Sequence, residues 1–294
     1  MIQKALIGLD GSAEALSAAR LGAEISHRAN AKLFTLTVHN DSVVLPVGAS
    51  WGEAGIAANL LLDTLSKEQE ETEEAGIVIE RKEGAEPVAL REIGLPIDRI
   101  LAVSAREKVD LILLGGHSHK SWERILLGSV SDGVVRHSSC PVLIVRGDGS
   151  IPQRILLGID GSDSGNRAAQ AAGELAKLFQ IRLDALITLP IQREKRHAKE
   201  KRISGETNEE REQTESEVEF TQRVRTQIEK LDIDFSWNVQ FGDPVKTILA
   251  FSESEHIDLI VVGKRGLGPV ESMIFGSVSN EITHKATCSV MITP

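Results

Sequence analysis

Long apolar runs are missing from this sequence. No stretch reaches the ~18 consecutive apolar residues that a membrane-spanning helix needs, which excludes a membrane span. The opening residues, MIQKALIGLDGS, already have the pattern of a strand and a turn. They lack the charged region, apolar core and small-residue cleavage site of a signal peptide. We therefore expect a cytoplasmic protein that has no membrane partner.

Cysteine is also scarce, with two residues, Cys140 and Cys288, in the 294-residue chain. So few thiols in a cytoplasmic protein argue against a disulfide framework. Each cysteine directly precedes an apolar strand, which is typical of a thiol that acts as a small buried hydrophobic group. A redox pair is the alternative interpretation.

Positive charge is in deficit, because 33 Lys and Arg residues stand against 43 Asp and Glu, for a formal net charge of −10. A nucleic-acid partner is therefore not expected, since binding to its phosphates needs a surplus of cations on one face. A small phosphorylated ligand is still compatible with this charge. Backbone N–H groups at a helix N-terminus can hold a phosphate inside an acidic protein.

A duplication dominates what is present. Residues 4–12, KALIGLDGS, return as RILLGIDGS at 154–162, and residues 110–145 return at 258–292. Because solenoid repeats have periods of roughly 20–50 residues, a repeat near 150 indicates two copies of a whole domain. We predict domains at 1–147 and 153–294, joined by a short linker that contains Gly and Pro.

Each copy alternates short aliphatic runs with longer amphipathic stretches, as expected for βαβ units and a parallel sheet. The alignment of Gly94 with Gly242 selects residues 87–93, and not 77–82, as the third strand of copy one. The predicted strands lie near 2–9, 31–38, 87–93, 110–115 and 142–146, and near 154–159, 181–188, 235–241, 258–263 and 289–293. Helices are predicted near 12–29, 54–83, 97–107 and 128–138, and between the strands of copy two.

The motif with the clearest chemistry lies in copy two. After a strand it reads Gly263-Lys264-Arg265-Gly266, then nine residues, then Gly276-Ser277-Val278 at the start of a helix. Glycines let the backbone approach a ligand, and the Gly276-Ser277 pair is expected to offer free N–H groups and a hydroxyl to a phosphate. Asp160 follows the first strand and should lie across the same crevice at the carboxyl ends of the strands. The pattern is neither Walker A nor G-x-G-x-x-G.

On these residues the chain resembles the universal stress protein family in a tandem form. The resemblance implies an α/β fold of two Rossmann-like domains of the adenine nucleotide alpha hydrolase type, each a five-stranded parallel sheet of order 3-2-1-4-5 flanked by helices. It also implies that ATP or a related adenine nucleotide, with Mg as a further expectation, binds at least to copy two in a stress-response role. The residues implied for this site are Asp160, Thr188 (near the adenine), Gly263, Lys264, Arg265, Gly266, Gly276, Ser277 and Val278.

Copy one departs from the family pattern at one glycine. Its loop reads Gly115-Gly116-His117-Ser118, so a serine occupies the place of the second glycine. If that position requires a positive φ, serine costs roughly 1–2 kcal/mol or changes the path of the loop. We therefore expect a weaker site there, and its residues are Asp10, Val38, Gly115, Ser118, Gly128, Ser129 and Val130.

Other candidate chemistry is weaker. His117 and His119 lack a third ligand at metal spacing, so we predict no metal site. Ser129 and Ser277 are better explained by phosphate contact or helix capping than by nucleophilic catalysis. We assign no catalytic residue, and expect at most slow ATP hydrolysis, because no arginine finger or set of metal-binding carboxylates is visible.

The sequence also suggests two kinds of partner. The resemblance implies that the last strands, 142–145 and 289–293, pair antiparallel in an intramolecular pseudo-dimer, and a further homodimer is compatible with it. The charged segment 192–219 is typical of a solvated loop and helix surface, or it docks a partner. The alternative function is accordingly a nucleotide-independent interaction scaffold that acts through partner docking.

Overall fold

The computed structural model describes residues 2–39, 87–116, 127–189, 219–266 apart from 220, 223 and 227, and 275–294. The chain divides into two compact units, Met1–Ile151 (unit 1) and Pro152–Pro294 (unit 2). The domain bounds predicted from the sequence, 1–147 and 153–294, stay a prediction.

Both units have the same order of elements. Unit 1 contains β1 (Lys4–Leu9), α1 (Ala13–Ala29), β2 (Lys32–His39), β3 (Val88–Ile93), α2 (Pro96–Glu107), β4 (Leu111–Gly115), α3 (Ser129–His137) and β5 (Val142–Val145). Unit 2 contains β6 (Ile155–Gly158), α4 (Asp163–Phe179), β7 (Leu183–Leu189), β8 (Phe235–Phe241), α5 (Pro244–Ser254), β9 (Leu259–Gly263), α6 (Ser277–Lys285) and β10 (Ser289–Thr293). The third strand of unit 1 is thus the predicted 87–93 segment. The predicted helix over 54–83, the segment 77–82 and nearly all of segment 192–219 lie outside the described residues.

Each unit forms a parallel five-stranded sheet. The strand order is β3-β2-β1-β4-β5 in unit 1 and β8-β7-β6-β9-β10 in unit 2. Counted within each unit, both orders are 3-2-1-4-5, which confirms the predicted fold class. The order reverses between the first and fourth strands, so the carboxyl ends of these strands flank a crevice where ligands bind in such folds.

Helices cover both faces of each sheet. Every residue of β5 and β6 is buried, as expected for strands covered on both sides. A Cβ added to Gly22 of α1 would lie 2.6 Å from Ile7, and one added to Gly8 would lie 3.7 Å from Ile100 of α2. Because neighbouring residues of a strand point to opposite faces, α1 and α2 cover different faces of the unit 1 sheet.

A carboxylate holds the start of the first strand in each unit. The Oδ2 atom of Asp110 accepts hydrogen bonds from the N–H groups of Gln3 and Lys4, both at 2.9 Å. Asp258 does the same in unit 2, for residues 153 and 154 at 2.8 and 3.0 Å. These bonds fix the start of the first strand, and the Asp-Gly-Ser pattern repeated in the two copies follows the end of that strand.

Unit 2 carries an ion pair between a buried carboxylate and a partly exposed arginine at the amino end of its sheet. Asp184 is 5% exposed, and its carboxylate accepts hydrogen bonds from Arg154 at 2.7 Å and from the Ser236 hydroxyl. Unit 1 has Lys4 and Phe34 at the positions of Arg154 and Asp184. The two sheets thus differ in how they bury the amino end of their second strand.

The segment that leaves β5 is bonded to α1. The Ser17 hydroxyl donates to the Gly147 carbonyl at 2.9 Å, and Arg20 donates to the Asp148 carbonyl at 3.1 Å. Gly149 has φ of +75°, and an added Cβ would overlap the Ser17 carbonyl. Residues 147–149 are therefore packed on unit 1.

Candidate functional site

An Asp-Gly-Ser turn follows the first strand of unit 2. The Oδ1 atom of Asp160 accepts hydrogen bonds from the N–H of Ser162 at 3.0 Å and from its hydroxyl at 2.7 Å. Gly161 between them has φ of +77°, a conformation that favours glycine. Ser162 then caps α4, because its Oγ accepts from the N–H of Gly165 at 3.0 Å. The turn thus engages one oxygen of the Asp160 carboxylate at the carboxyl edge of the sheet.

Unit 1 builds the same turn. Asp10 Oδ1 accepts from the N–H and hydroxyl of Ser12 at 3.1 and 2.6 Å. Gly11 has φ of +84°, and the Ser12 hydroxyl caps α1 through the N–H of Ala15 at 3.1 Å. Both predicted aspartates therefore stand at equivalent places, where the turn fixes their side chains.

The glycine loop of unit 2, residues 263–266, packs on the first turn of α4. A Cβ on Gly263 would lie 2.6 Å from the carbonyl carbon and from the Oγ of Ser164. A Cβ on Gly266 would lie 2.5 Å from Asp160 Oδ2. The loop backbone therefore passes directly beside the Asp160 carboxylate, which brings together two features that lie about a hundred residues apart in the sequence.

The start of α6 differs in one respect from the sequence expectation. Gly276 is the N-cap residue of α6, but its N–H donates to the Lys264 carbonyl at 2.9 Å. The expectation that Gly276 itself offers a free N–H is therefore wrong, because the path of the loop brings that carbonyl within reach. The Ser279 hydroxyl donates to the same carbonyl at 2.8 Å. The N–H groups available to an anion are those of the first helical turn, which starts at Ser277 and has no carbonyl partners within the helix.

Two serines hold Arg265 by its backbone. The Ser164 hydroxyl accepts a hydrogen bond from the Arg265 N–H at 3.2 Å and also donates to the Arg265 carbonyl. The Ser162 hydroxyl lies 3.2 Å from that carbonyl. Sequence reasoning missed both serines. Ser162 was visible in the repeated Asp-Gly-Ser pattern, whereas Ser164 has Glu14 as its counterpart and left no such signal.

Two adjacent cations lie in this loop. Lys264 is 9% exposed, whereas the Arg265 side chain is exposed. Burial, together with the neighbouring Arg265 charge, lowers the pKa of Lys264 below its ordinary value. An anion bound beside the loop would relieve the repulsion between the two cations.

Thr188 lies near the carboxyl end of β7. The last register pair of β6 and β7 is Gly158 with Leu186. Asp160 and Thr188 each lie two residues beyond this pair along their own chain segment. The Thr188 Oγ1 atom is buried and has no hydrogen-bond partner among the described residues. A polar atom of this kind has hydrogen-bonding capacity to offer a ligand.

The glycine loop of unit 1 begins in the same way. A Cβ on Gly115 would lie 2.6 Å from the carbonyl carbon of Glu14, and the Ser131 hydroxyl donates to the Gly115 carbonyl at 3.1 Å. The N–H of Gly116 donates to Val145 at 2.8 Å. Beyond this point Ser118, with His117, His119 and Trp122, lies outside the described residues.

The remaining predicted site residues occupy the expected elements. Val38 lies in β2, and Gly128 is the N-cap residue of α3, as Gly276 is of α6. The residues that follow these caps form the first turns of the two helices: Ser129, Val130, Ser277 and Val278. Within each unit, the described site residues therefore gather at the carboxyl edge of the sheet.

Cysteine and metal chemistry contribute little to this edge. Cys140 and Cys288 are not joined in a disulfide and are half-buried, so they are less enclosed than the sequence pattern suggested. In the part of the chain that the structure describes, no three His, Cys, Asp or Glu side chains are grouped to hold a metal ion.

None of the described helices combines the length and apolarity needed to cross a membrane.

Comparison with known proteins gives a consistent result over the whole chain. The model of the universal stress protein family matches residues 1–146 and again residues 152–294. A universal stress protein of Mycolicibacterium smegmatis is 27% identical over 307 residues, which cover 98% of this chain and 95% of the relative. One from Methanocaldococcus jannaschii is 32% identical over 152 residues, covering 50% of this chain and 83% of the relative.

A solved structure supports the fold independently. The crystal structure of a universal stress protein from Archaeoglobus fulgidus superposes with a TM-score of 0.72 and 22% sequence identity. The match covers 99% of this chain and 97% of that chain. The fold of this chain is therefore shared with a protein of similar length.

Proposed function

Since the chain belongs to the universal stress protein family, we propose that unit 2 binds ATP or a related adenine nucleotide between the carboxyl ends of β6 and β9. One observation carries the proposal, namely the close approach of the glycine loop to the Asp160 carboxylate. A Cβ added to Gly266 would lie only 2.5 Å from Asp160 Oδ2. The carboxylate thus lies beside Gly266, which has no side chain to keep a ligand away. In the proposal, Asp160 accepts a hydrogen bond from a ribose hydroxyl.

The phosphates would lie against the start of α6. The first-turn N–H groups of this helix, from Ser277 onward, point out of its N-terminus, where the helix dipole favours negative charge. Lys264 and Arg265 add positive charge at the same loop. Three favourable contributions therefore converge on an anion in the proposed site.

The base would lie on the other side of Asp160. Thr188 lies two residues beyond the last β6–β7 register pair, as Asp160 does on the other chain segment, and its buried hydroxyl is proposed to meet a polar atom of the adenine. Unit 1 has Val38 at this position, which provides shape but no hydroxyl. We propose that unit 1 is a second and weaker site, built on Asp10, Gly115 and the start of α3.

Several finer features belong to the same proposal. The nucleotide would carry Mg²⁺ on its phosphates, and we expect at most slow hydrolysis, because we assign no catalytic residue in the described part of the chain. The proposal also includes a cytoplasmic location and a role in the stress response. Pairing of the two last strands stays a prediction. Formation of a homodimer also stays a prediction, and light scattering of the purified chain would test it.

The experiment begins with mass spectrometry of small molecules released from the purified full-length chain, followed by calorimetric titration with Mg·ATP and adenosine. Asp160→Asn keeps an acceptor for Ser162 but removes the charge, and Gly276→Val obstructs the start of α6. We expect both variants to weaken ATP binding, whereas the matched variant Asp10→Asn leaves the stronger site intact. Binding that is unchanged in both unit 2 variants would refute the assignment. No nucleotide binding even at millimolar concentration would favour the scaffold function.

A further inference from the structure

The hydroxyl of Ser164 makes an unusual pair of contacts with Arg265. It accepts a hydrogen bond from the Arg265 N–H at 3.2 Å and donates one to the Arg265 carbonyl. Ser164 itself is buried, and its own carbonyl accepts from the Thr293 hydroxyl at 3.2 Å. The backbone of Arg265 is therefore held at both ends by one side chain that is itself fixed.

This contact determines where the Arg265 side chain starts. A residue whose N–H and carbonyl are both bonded cannot rotate its flanking peptides without breaking a hydrogen bond. The side chain of Arg265 is nevertheless exposed. The loop thus presents an exposed cation from a fixed point, directly after the buried Lys264 and directly before Gly266, whose added Cβ would lie 2.5 Å from Asp160 Oδ2.

We infer that Ser164 is a positioning residue that aims Arg265 at the phosphate chain, and that this pair makes unit 2 prefer nucleoside triphosphates to monophosphates. The inference rests on the proposed nucleotide site. An exposed guanidinium forms charge-assisted bonds to phosphate oxygens, and its attraction to the ligand grows with the negative charge that the ligand carries. Lys264 is buried directly beside the exposed Arg265, and two neighbouring cations favour a ligand that carries several negative charges.

Unit 1 provides a natural contrast at the same position. Glu14 replaces Ser164, and a Cβ on Gly115 would lie 2.8 Å from the Glu14 Cβ, so both side chains start against the glycine loop. An ionised carboxylate accepts hydrogen bonds but cannot donate one to a carbonyl. The two-ended contact that holds Arg265 is therefore chemically impossible for Glu14, and it is a property of Ser164.

The test compares ATP, AMP and adenosine on the full-length chain by calorimetry, in a Gly128→Val background chosen to remove binding at unit 1. We expect Arg265→Met to weaken ATP binding about tenfold and to change adenosine binding less than about twofold. Ser164→Ala and Ser164→Glu should lower the ratio of ATP to AMP affinity in the same direction. Ser164→Thr keeps the hydroxyl and should preserve the ratio.

The outcomes separate this inference from the proposed function. If the parent chain binds no nucleotide, the proposed function fails and the inference fails with it. If the parent binds ATP but Arg265→Met and Ser164→Ala leave the ratio of ATP to AMP affinity unchanged, only the inference is overturned. A uniform loss of affinity for all three ligands in Ser164→Ala would show a merely structural serine and would also overturn it.

Discussion

The first glycine of each glycine loop makes the same backbone contact, but the two units differ in the charges placed beside it. In both units the glycine that ends the fourth strand lies against the first turn of a helix. A Cβ added to Gly115 or Gly263 would overlap the backbone of α1 or α4, respectively. The side chain in that first turn, however, is Glu14 in unit 1 and Ser164 in unit 2. Steric demands of the turn have thus been kept in both copies, whereas the polar groups have diverged.

A buried cation illustrates the same difference. In unit 2 this cation is Lys264, which directly follows β9. Pro294 directly follows the neighbouring strand β10, since the residues before them, Gly263 and Thr293, pair in register. In unit 1 the residues that correspond to Lys264 and Pro294 are Gly116 and Arg146. Arg146 is 6% exposed, and a Cβ on Gly116 would lie 3.2 Å from its Cγ. Each unit therefore buries one cation here, but a different strand supplies it.

The contact that Gly115 and Gly263 share gives the largest expected effect. Gly263→Ala and Gly115→Ala each place a Cβ 2.6 Å from a backbone carbonyl carbon, which cannot rotate away. We expect each substitution to lower the free energy of unfolding by about 3 kcal/mol, measured by urea denaturation followed by circular dichroism. Gly147→Ala is the control, because nothing lies within 4 Å of its Cβ and only its φ of +83° is unfavourable, so about 1 kcal/mol is expected. A much smaller loss at Gly115 than at Gly263 would break the equivalence of the two loops.

The amino ends of the sheets should respond unequally. Arg154→Met leaves the buried Asp184 carboxylate without its cation, and we expect a loss of about 2 kcal/mol in the free energy of unfolding. Lys4→Met, the matched change in unit 1, should cost less than about 1 kcal/mol, since it removes one partly buried bond to a carbonyl. Adding Asp184→Asn to Arg154→Met should recover part of the loss. Equal losses in the two units would contradict the contrast.

The mismatch between Ser118 and Gly266 is tested by exchanging the two residues. Gly266→Ser places a Cβ 2.5 Å from Asp160 Oδ2 and should weaken ATP binding to unit 2 about tenfold, ~1.4 kcal/mol. Ser118→Gly should strengthen binding to unit 1. Fluorescence of Trp122, with Trp51 and Trp237 replaced by Phe, reports on unit 1 because Trp122 belongs to that loop. Unchanged affinities in both single variants would show that the mismatch does not set the difference.

The buried cation of unit 2 predicts the smallest effect, a dependence on pH. The pKa of Lys264 is lowered in the folded chain by burial and by Arg265, so between that lowered value and its ordinary value the unfolded chain binds more protons. Stability attributable to this group therefore rises with pH in that window. Lys264→Met should flatten the rise, measured as urea midpoints between pH 7 and 10, and the exposed Lys246→Met should not. An unchanged slope would contradict the assigned burial.

The repeat made much of the backbone predictable. Strands expected at 235–241 and 289–293 are observed as Phe235–Phe241 and Ser289–Thr293. The alignment of Gly94 with Gly242 placed the third strand of unit 1, and both glycines have a positive φ directly after an edge strand. Such positions are readable because glycine tolerates that conformation and other residues rarely do.

Contacts between side chains and distant backbone were not predictable. Ser164 bonds the backbone of a residue 101 positions away, and a backbone group carries no residue-specific signal in the sequence. The engaged N–H of Gly276 escaped notice for the same reason, since its partner is a carbonyl placed by the path of the loop. The buried cation is Lys264 in unit 2 and Arg146 in unit 1. This correspondence was not visible in the sequence because the two residues follow non-equivalent strands, β9 and β5.

The packing of residues 147–149 on α1 has a consequence for protein engineering. A chain shortened before Gly147 would remove the carbonyls that Ser17 and Arg20 bond, and would expose the surface that Gly149 covers. Fusion points, protease sites or purification tags placed between the two halves should therefore follow Ile151. In gene-splitting experiments, this segment is the natural C-terminus of the first half.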